Sequence, residues 1–318
     1  DIIMLRVSNY DYVKKYFLKN FKKTKNKKIH KKTSLLSTDR KHLNSLNQKG
    51  YCIVRNVFSK KFIDSLRLEF AKEIKKLENI SCPRDLRLQK KNIEQIYLPK
   101  LDEKTFLQGE KKFKNFTDSI KLKDPLINIP RIIQVALNKR IISICSNFFG
   151  CIPYLTFLKC VKTFKNRLKE HDTQYFHIDE NSVKLLKVFI YLNDVNSKKD
   201  GPFYYVQDSF KNIKEKWGKN ARWNENHLKK EYGVKKFKPI LAKRGDIIIA
   251  NTVAFHRGIK PIMKNRNIII LNYGMHVDFT FNNKLDITSK VLKRDVLKLT
   301  KKNQSILSLL SIVDKNYE

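Results

Sequence analysis

Residues 175–192 read YFHIDENSVKLLKVFIYL, and 79 residues after His177 comes a second stretch, Phe255-His256-Arg257-Gly258. The first stretch carries an H-x-D and ends in a nearly continuous apolar run, LLKVFIYL (185–192). Such a run is expected of a strand buried on both faces. In an extended strand residues i and i+2 point to the same side, so His177 and Asp179 can aim at one ion while Ile178 faces away. With His256 they supply two imidazoles and one carboxylate, the donor set of the facial triad in non-haem Fe(II) oxygenases. Working outward, short strands recur with turn signals between them: 154–162, 203–206 after Asp200-Gly201-Pro202, 247–250 after Arg244-Gly245-Asp246, and 267–273. This spacing predicts a jelly roll or barrel.

On the N-terminal side the grammar is helical. A short helix near Leu43 leads into a strand over 50–58. Ser59 then N-caps an amphipathic helix to about Leu77, with Phe62, Ile63, Leu66, Phe70 and Ile74 at helical spacing. Residues 80–125 read as charged loops and short helices, and 130–149 as one further helix ended by Gly150. Residues 210–235 form a lysine-rich insertion that carries Trp217 and Trp223, and a helical tail follows from 286. The expected organisation is a basic leader (1–37), a central domain (38–285) with N-terminal helices and the insertion, and the tail (286–318).

The chain has 318 residues with 68 Lys+Arg against 30 Asp+Glu, a formal net charge of +38. That balance favours anionic partners. The lysines are spread along the whole chain rather than clustered with arginine, so a lysine-rich surface is the plainer reading. The leader is densest in charge at Lys14–Lys32, with Tyr16, Phe17 and Phe21 able to line one side of a helix. A nucleic-acid or acidic membrane surface could be met there, although a solvated helix or extension is the favoured reading. Five scattered cysteines without a C-x-x-C pair point to buried thiols in a reducing compartment. The longest uncharged stretch, 141–158, is broken by Asn147, Gly150 and Pro153, which argues for a helix, a turn and a strand instead of a membrane span. With no signal-peptide h-region read at the start, a cytoplasmic location is expected.

Four stretches together resemble the phytanoyl-CoA dioxygenase family of Fe(II)/2-oxoglutarate oxygenases. They are GYCIVRNVFS (50–59), TQYFHIDENSVKLLKVFIYLNDV (173–195), DGPFYYVQDS (200–209) and RGDIIIANTVAFHRGIKPIMKNRNIIILNY (244–273). The resemblance implies a mainly β protein with flanking helices (α+β), its core a double-stranded β-helix, the cupin-like jelly roll. It implies that His177, Asp179 and His256 ligate iron and that Arg266 binds the far carboxylate of 2-oxoglutarate, a role suited to a planar guanidinium fork. Fe(II), 2-oxoglutarate as cosubstrate and O2 are the implied cofactors. The implied chemistry is oxidative decarboxylation of oxoglutarate coupled to hydroxylation of a small or carrier-linked substrate, for which the charge allows an anion. Desaturation or ring closure stays open. The family's usual P-G-S-H is Gln207-Asp208-Ser209-Phe210 here, a departure at a position that holds no metal in the family.

Individual residues are weighed against plainer roles. Arg257, beside a candidate ligand, should point away from the metal as strand alternation demands. Gln174 is a candidate to hydrogen-bond a ligand or the cosubstrate. Lys187 either lines the pocket or snorkels out. His30, His42, His171, His227 and His276 lack a metal-like pairing. The rival reading is a retired double-stranded β-helix protein acting as a basic nucleic-acid- or membrane-binding module. Four correctly placed polar groups argue against it. Oligomeric state is not legible from the sequence.

Overall fold

The computed structural model describes residues 35–78, 119–122, 125–165, 170, 172–180, 182–219 and 222–274. The leader to residue 34, most of 80–125, Cys82, His30, His171, His276 and the tail from 286 lie outside the described residues.

A 3-10 turn, Ser37–Asp39, leads into helix α1 (Arg40–Lys49), which stops at Gly50 with φ 85°. Strand β1 (Tyr51–Val54) follows, then α2 (Lys60–Glu78), whose first turn is capped by Phe62 N–H donating to Ser59 Oγ at 3.2 Å. Next come β2 (Ser119–Leu122) and the short α3 (Pro125–Asn128). The helix expected over 130–149 is two helices, α4 (Ile132–Ala136) and α5 (Lys139–Phe149). The break has a local cause. Asn138 adopts an extended conformation and its side chain accepts from the N–H groups of Arg140 and Ile141, starting a new helix instead of continuing the old one.

Strands β3 (Tyr154–Thr163), β4 (Leu186–Tyr191) and β5 (Phe203–Val206) come next, and then α6 (Glu225–Tyr232). The chain continues through β6 (Phe237–Ile240), β7 (Ile247–Asn251), β8 (His256–Gly258) and β9 (Arg266–Gly274). All strand pairs are antiparallel and fall into two sheets. The larger has the order β1-β7-β4-β9-β3-β2 and the smaller β6-β5-β8. This is the jelly-roll arrangement expected from the strand spacing.

Both faces of the large sheet are apolar, which explains the LLKVFIYL run. On one face Leu158, Cys160, Val188, Ile190, Ile249 and Leu271 join Leu46 of α1, Leu66, Phe70 and Ile74 of α2, and Ile141 and Cys145 of α5. On the other face Phe189, Tyr191, Ile248 and Ile268 pack towards Phe203, Tyr205 and Ile240 of the small sheet. Fully burying one such side chain contributes about 1.5–3 kcal/mol, so the helix layer and the sheet stabilise each other.

The register of β3 shifts between Leu155 and Phe157. Leu155 belongs to the helix-facing core, whereas Phe157, two residues on, lines a cavity. A bulge of this kind reverses the parity of a strand. It is what turns Phe157, Lys159, Val161 and Thr163 inward.

The outer face of the small sheet is covered by residues 209–232. There Trp217 and Leu228 are buried against Phe176, Tyr204, Val206, Phe237 and Phe255, with Trp223 partly buried beside them. The 210–235 segment is thus a third wall of apolar side chains rather than a purely polar loop. Among the described residues no helix is long and apolar enough to cross a membrane. Cys52, Cys145 and Cys160 are free thiols, Cys151 is buried like them, and burial pushes the Cys52 thiol up to about 12.

Candidate metal centre

The site lies between the two sheets. His177 and His256 form an antiparallel bridge in which each backbone N–H donates to the other's carbonyl at 3.0 Å. Directly bridged residues project their side chains to the same face, and the two imidazole centroids lie 4.3 Å apart. One step further, Asp179 N–H donates to Thr252 O at 2.9 Å, anchoring the carboxylate's strand to the turn after β7. Phe176 and Ile178, between and beside these residues, turn outward into the wall under Trp217. The first half-site is therefore extended as expected, although it is held by isolated bridges and not by a continuous strand.

The donor atoms converge. Among the described residues His177, Asp179 and His256 are the one trio of His, Cys, Asp or Glu whose potential ligand atoms all lie within 4.8 Å of one another. Each imidazole has its Nδ1 2.9 Å from a backbone oxygen two residues earlier, Tyr175 O for His177 and Ala254 O for His256. With Nδ1–H donating there, the Nε2 lone pairs are left for the site, the arrangement that fixes ligand tautomers at metal centres. His256 Nε2 stands 3.6 Å from Asp179 Oδ2.

The protonation states suit a cation. Burial lowers the pKa of His177 and outweighs the pull of Asp179. His256, buried and beside His177, is pushed down to about 3. Burial works the other way on Asp179, but Lys187, His256 and His177 outweigh it and hold the carboxyl well below the usual carboxylate range. Two neutral imidazoles and one charged carboxylate are what a divalent first-row metal takes. The residues present therefore fit such an ion.

Beside the trio lies a cavity of about 440 Å³, lined among others by Gln174, His177, His256, Arg266 and Lys187. Arg266 opens β9. Its guanidinium donates to Gly201 O, to Ile259 O at 3.1 Å and to Thr163 Oγ1 at 3.1 Å. Thr163 is the residue opposite Arg266 in the β3–β9 register, so its position could have been found once that pairing was known. Gly258 lies across from Phe203 and against the guanidinium, where an added Cβ would come 3.8 Å from Nη2.

Arg257 points away from the trio. It pairs with Glu170 at 3.1 Å and Glu225 at 2.7 Å and stacks over Phe176, its Cζ 4.8 Å from the ring centroid. Gln174 is buried in the cavity wall. Lys187 lines the cavity rather than snorkelling out. His42 and His227 stand apart from the trio. In place of the expected family motif, Asp208 takes a left-handed conformation (φ 69°) and Ser209 Oγ accepts from Phe255 N–H at 2.9 Å, tying β5 to the strand of His256. Sequence reasoning missed the cavity's Phe157 and Lys159, because the parity of β3 is set by its bulge, and Lys121, because its strand β2 lies in a stretch that reads as charged loop.

No protein-family model matches the sequence, and no curated protein matches it. Solved structures do share its architecture. The iron-bound structure of EctD from S. alaskensis superposes with a TM-score of 0.52 at 13% identity, over 80% of this chain and 85% of that one. The metal-free form of EctD gives 0.51 at 14%, over 77% and 80%. SnoN, a non-haem alpha-ketoglutarate-dependent epimerase from nogalamycin biosynthesis, gives 0.51 at 13%, over 75% and 83%. At these identities the likeness speaks for the fold, and the chain has the double-stranded β-helix that these proteins share.

Proposed function

We propose that this protein is an Fe(II)- and 2-oxoglutarate-dependent oxygenase of the phytanoyl-CoA dioxygenase type, hydroxylating an aliphatic carbon of a small or carrier-linked molecule. The observation that carries the reading is the convergence of two neutral imidazoles and a charged carboxylate beside a cavity lined by a half-buried arginine, Arg266. His177, Asp179 and His256 would hold the ion. When bound, Fe(II) with oxoglutarate supplies O2 activation, chemistry that side chains alone lack.

The remaining work falls to the chain. Arg266, braced by two carbonyls and Thr163, is pre-placed to receive a carboxylate bidentately, so little side-chain entropy is lost on binding. Gln174 is positioned in the wall to donate to or accept from the cosubstrate. Phe157, Phe189, Phe203, Ile268 and Ile270 supply apolar lining that excludes water and orients an aliphatic substrate. A reactive site needs that exclusion to keep oxidation on the intended carbon.

The test is slow uncoupled turnover. Protein given Fe(II), oxoglutarate and O2 should release succinate without added substrate, and Asp179→Ala should not. Equal succinate from both proteins, or none from either in the presence of bound iron, would remove the assignment.

A further inference from the structure

Lys187 is the second residue of β4, between Ala250 of β7 and Asn272 of β9, in a run of buried apolar residues. Its Nζ lies 2.6 Å from Asp179 Oδ2, the same oxygen that faces His256 Nε2. The two side chains are 16% and 13% exposed. A carboxylate so deeply placed needs a counter-charge, and so does the ammonium. Lys187 and a dication held by the trio would therefore contend for one oxygen.

Resting on the metal-site reading above, we propose that Lys187 is a shared cation. It neutralises Asp179 when no metal is bound, and it receives a carboxylate or phosphate of a cavity ligand once a dication takes Asp179. Metal and anion then bind cooperatively through this one side chain.

The surroundings leave the ammonium few other choices. With a dication on Asp179, two positive charges would share one carboxylate at low dielectric, and the lysine must find another anion. The described residues lining the cavity include no Asp or Glu, while Lys121, Lys159 and Lys260 line it as well. Lys187 Nζ sits 5.7 Å and Lys159 Nζ 5.0 Å from the ring centroid of the same residue, Phe157. Two ammonium groups gathered over one ring make a place where an incoming anion is bound by both. Arg266 lies in the same cavity and is assigned to the cosubstrate's far carboxylate. The anion at Lys187 is therefore either the cosubstrate's other end or an acidic group on the substrate.

The experiment is a Mn(II) titration of wild type, Lys187→Met and His256→Ala, with thermal midpoints recorded with and without Mn(II). Lys187→Met should bind Mn(II) tighter by on the order of tenfold when no organic anion is present. Its midpoint should fall below wild type without metal and recover with saturating Mn(II), a crossing that simple loss of packing would not produce. At least one of succinate and inorganic phosphate should tighten Mn(II) binding in wild type and lose that effect in Lys187→Met. Lys187→Arg should keep that response. If Lys187→Met does not fold, Lys187→Gln carries the same expectations.

Two arms locate the anion. Loss of oxoglutarate affinity in Mn(II)-loaded Lys187→Met with phosphate binding unchanged assigns it to the cosubstrate. The converse assigns it to the substrate. Mn(II) affinity in Lys187→Met equal to or weaker than wild type, with the anion response intact, overturns the proposal. In that case a loss of Mn(II) binding in His256→Ala still upholds the metal site, whereas unchanged binding there would sink both.

Discussion

The large and small sheets are built on opposite economies. The large one has six strands with long continuous register, and its apolar side chains pack on both faces. The small one has three strands, of which β8 is three residues long, and it carries both candidate imidazoles near its edge. One sheet is stabilised by burial, with polar side chains such as Lys159, Thr163, Lys187 and Arg266 where it faces the cavity. The other is held by its neighbours: by Ser209 and Phe255, by the bridge to residue 177, and by the tryptophan-bearing segment outside it. Polar groups that would be costly inside a core are gathered where another layer has already fixed the backbone. The scaffold thus supplies the free energy, and the site draws on it.

That contrast predicts separable failures. The largest belongs to the small sheet. Asp179→Ala or His256→Ala should lower divalent-metal affinity by about 100-fold or more, beyond what outer partners of a ligand usually cost, with succinate formation lost. Thermal stability should be nearly kept in His256→Ala, whereas Asp179→Ala also strips Lys187 of its counter-charge and lowers the midpoint. Isothermal titration and a melting curve together read this out. If stability collapsed with metal binding in His256→Ala, the two sheets would not be separable in this sense.

In the large sheet the signs reverse. Ile190→Ala, at a fully buried position in a strand paired on both sides, should cost about 2–5 kcal/mol of stability in urea unfolding. Metal affinity of the folded fraction should be unchanged. Between these lies Arg266→Met, expected to raise the apparent KM for oxoglutarate by roughly 10–100-fold, the scale of a lost charge-assisted bidentate contact. Unchanged KM would mean that another cation of the cavity does the anchoring.

The seam gives a smaller effect. Gly50 joins α1 to β1 at φ 85°, and a Cβ there would run into the Tyr205 hydroxyl, which donates to Asn251 O at 2.9 Å. Gly50→Ala should cost about 1–3 kcal/mol through backbone strain and displacement of Tyr205, measured by denaturant unfolding.

The smallest effect is electrostatic. Asp208, paired with Lys211 at 2.9 Å and with Lys236, is partly desolvated, which raises its pKa, but the two lysines prevail and hold it below the usual value. A depressed carboxyl contributes stability above its unfolded pKa and loses it as pH falls through the folded one. Asp208→Asn, which tolerates the left-handed backbone, should cost less than about 1 kcal/mol at pH 7. The difference from wild type should shrink below about pH 4.

How much of this was legible in the sequence follows the same division. Continuous apolar runs made the central strands visible, and the H-x-D with a distant histidine pointed to the residues that the fold brings together. Arg257 turned outward by simple alternation. The inward faces of β3 were not legible, because a single bulge beyond Leu155 reverses which residues face the cavity. Asn138 was read as helix interior, since side-chain capping competes with helix continuation through one local hydrogen-bond choice. The tryptophans of the insertion sit among lysines, and only the apolar outer face of the small sheet that they cover explains why they are there.

The account's central claim is that one ferrous ion sits among His177, Asp179 and His256. Anomalous diffraction at the iron edge from crystals soaked anaerobically with Fe(II) tests it most directly. The account predicts a single strong peak per chain within coordination distance of all three side chains, and its disappearance in Asp179→Ala crystals treated alike. A peak elsewhere, or none there at full soaking, would contradict it.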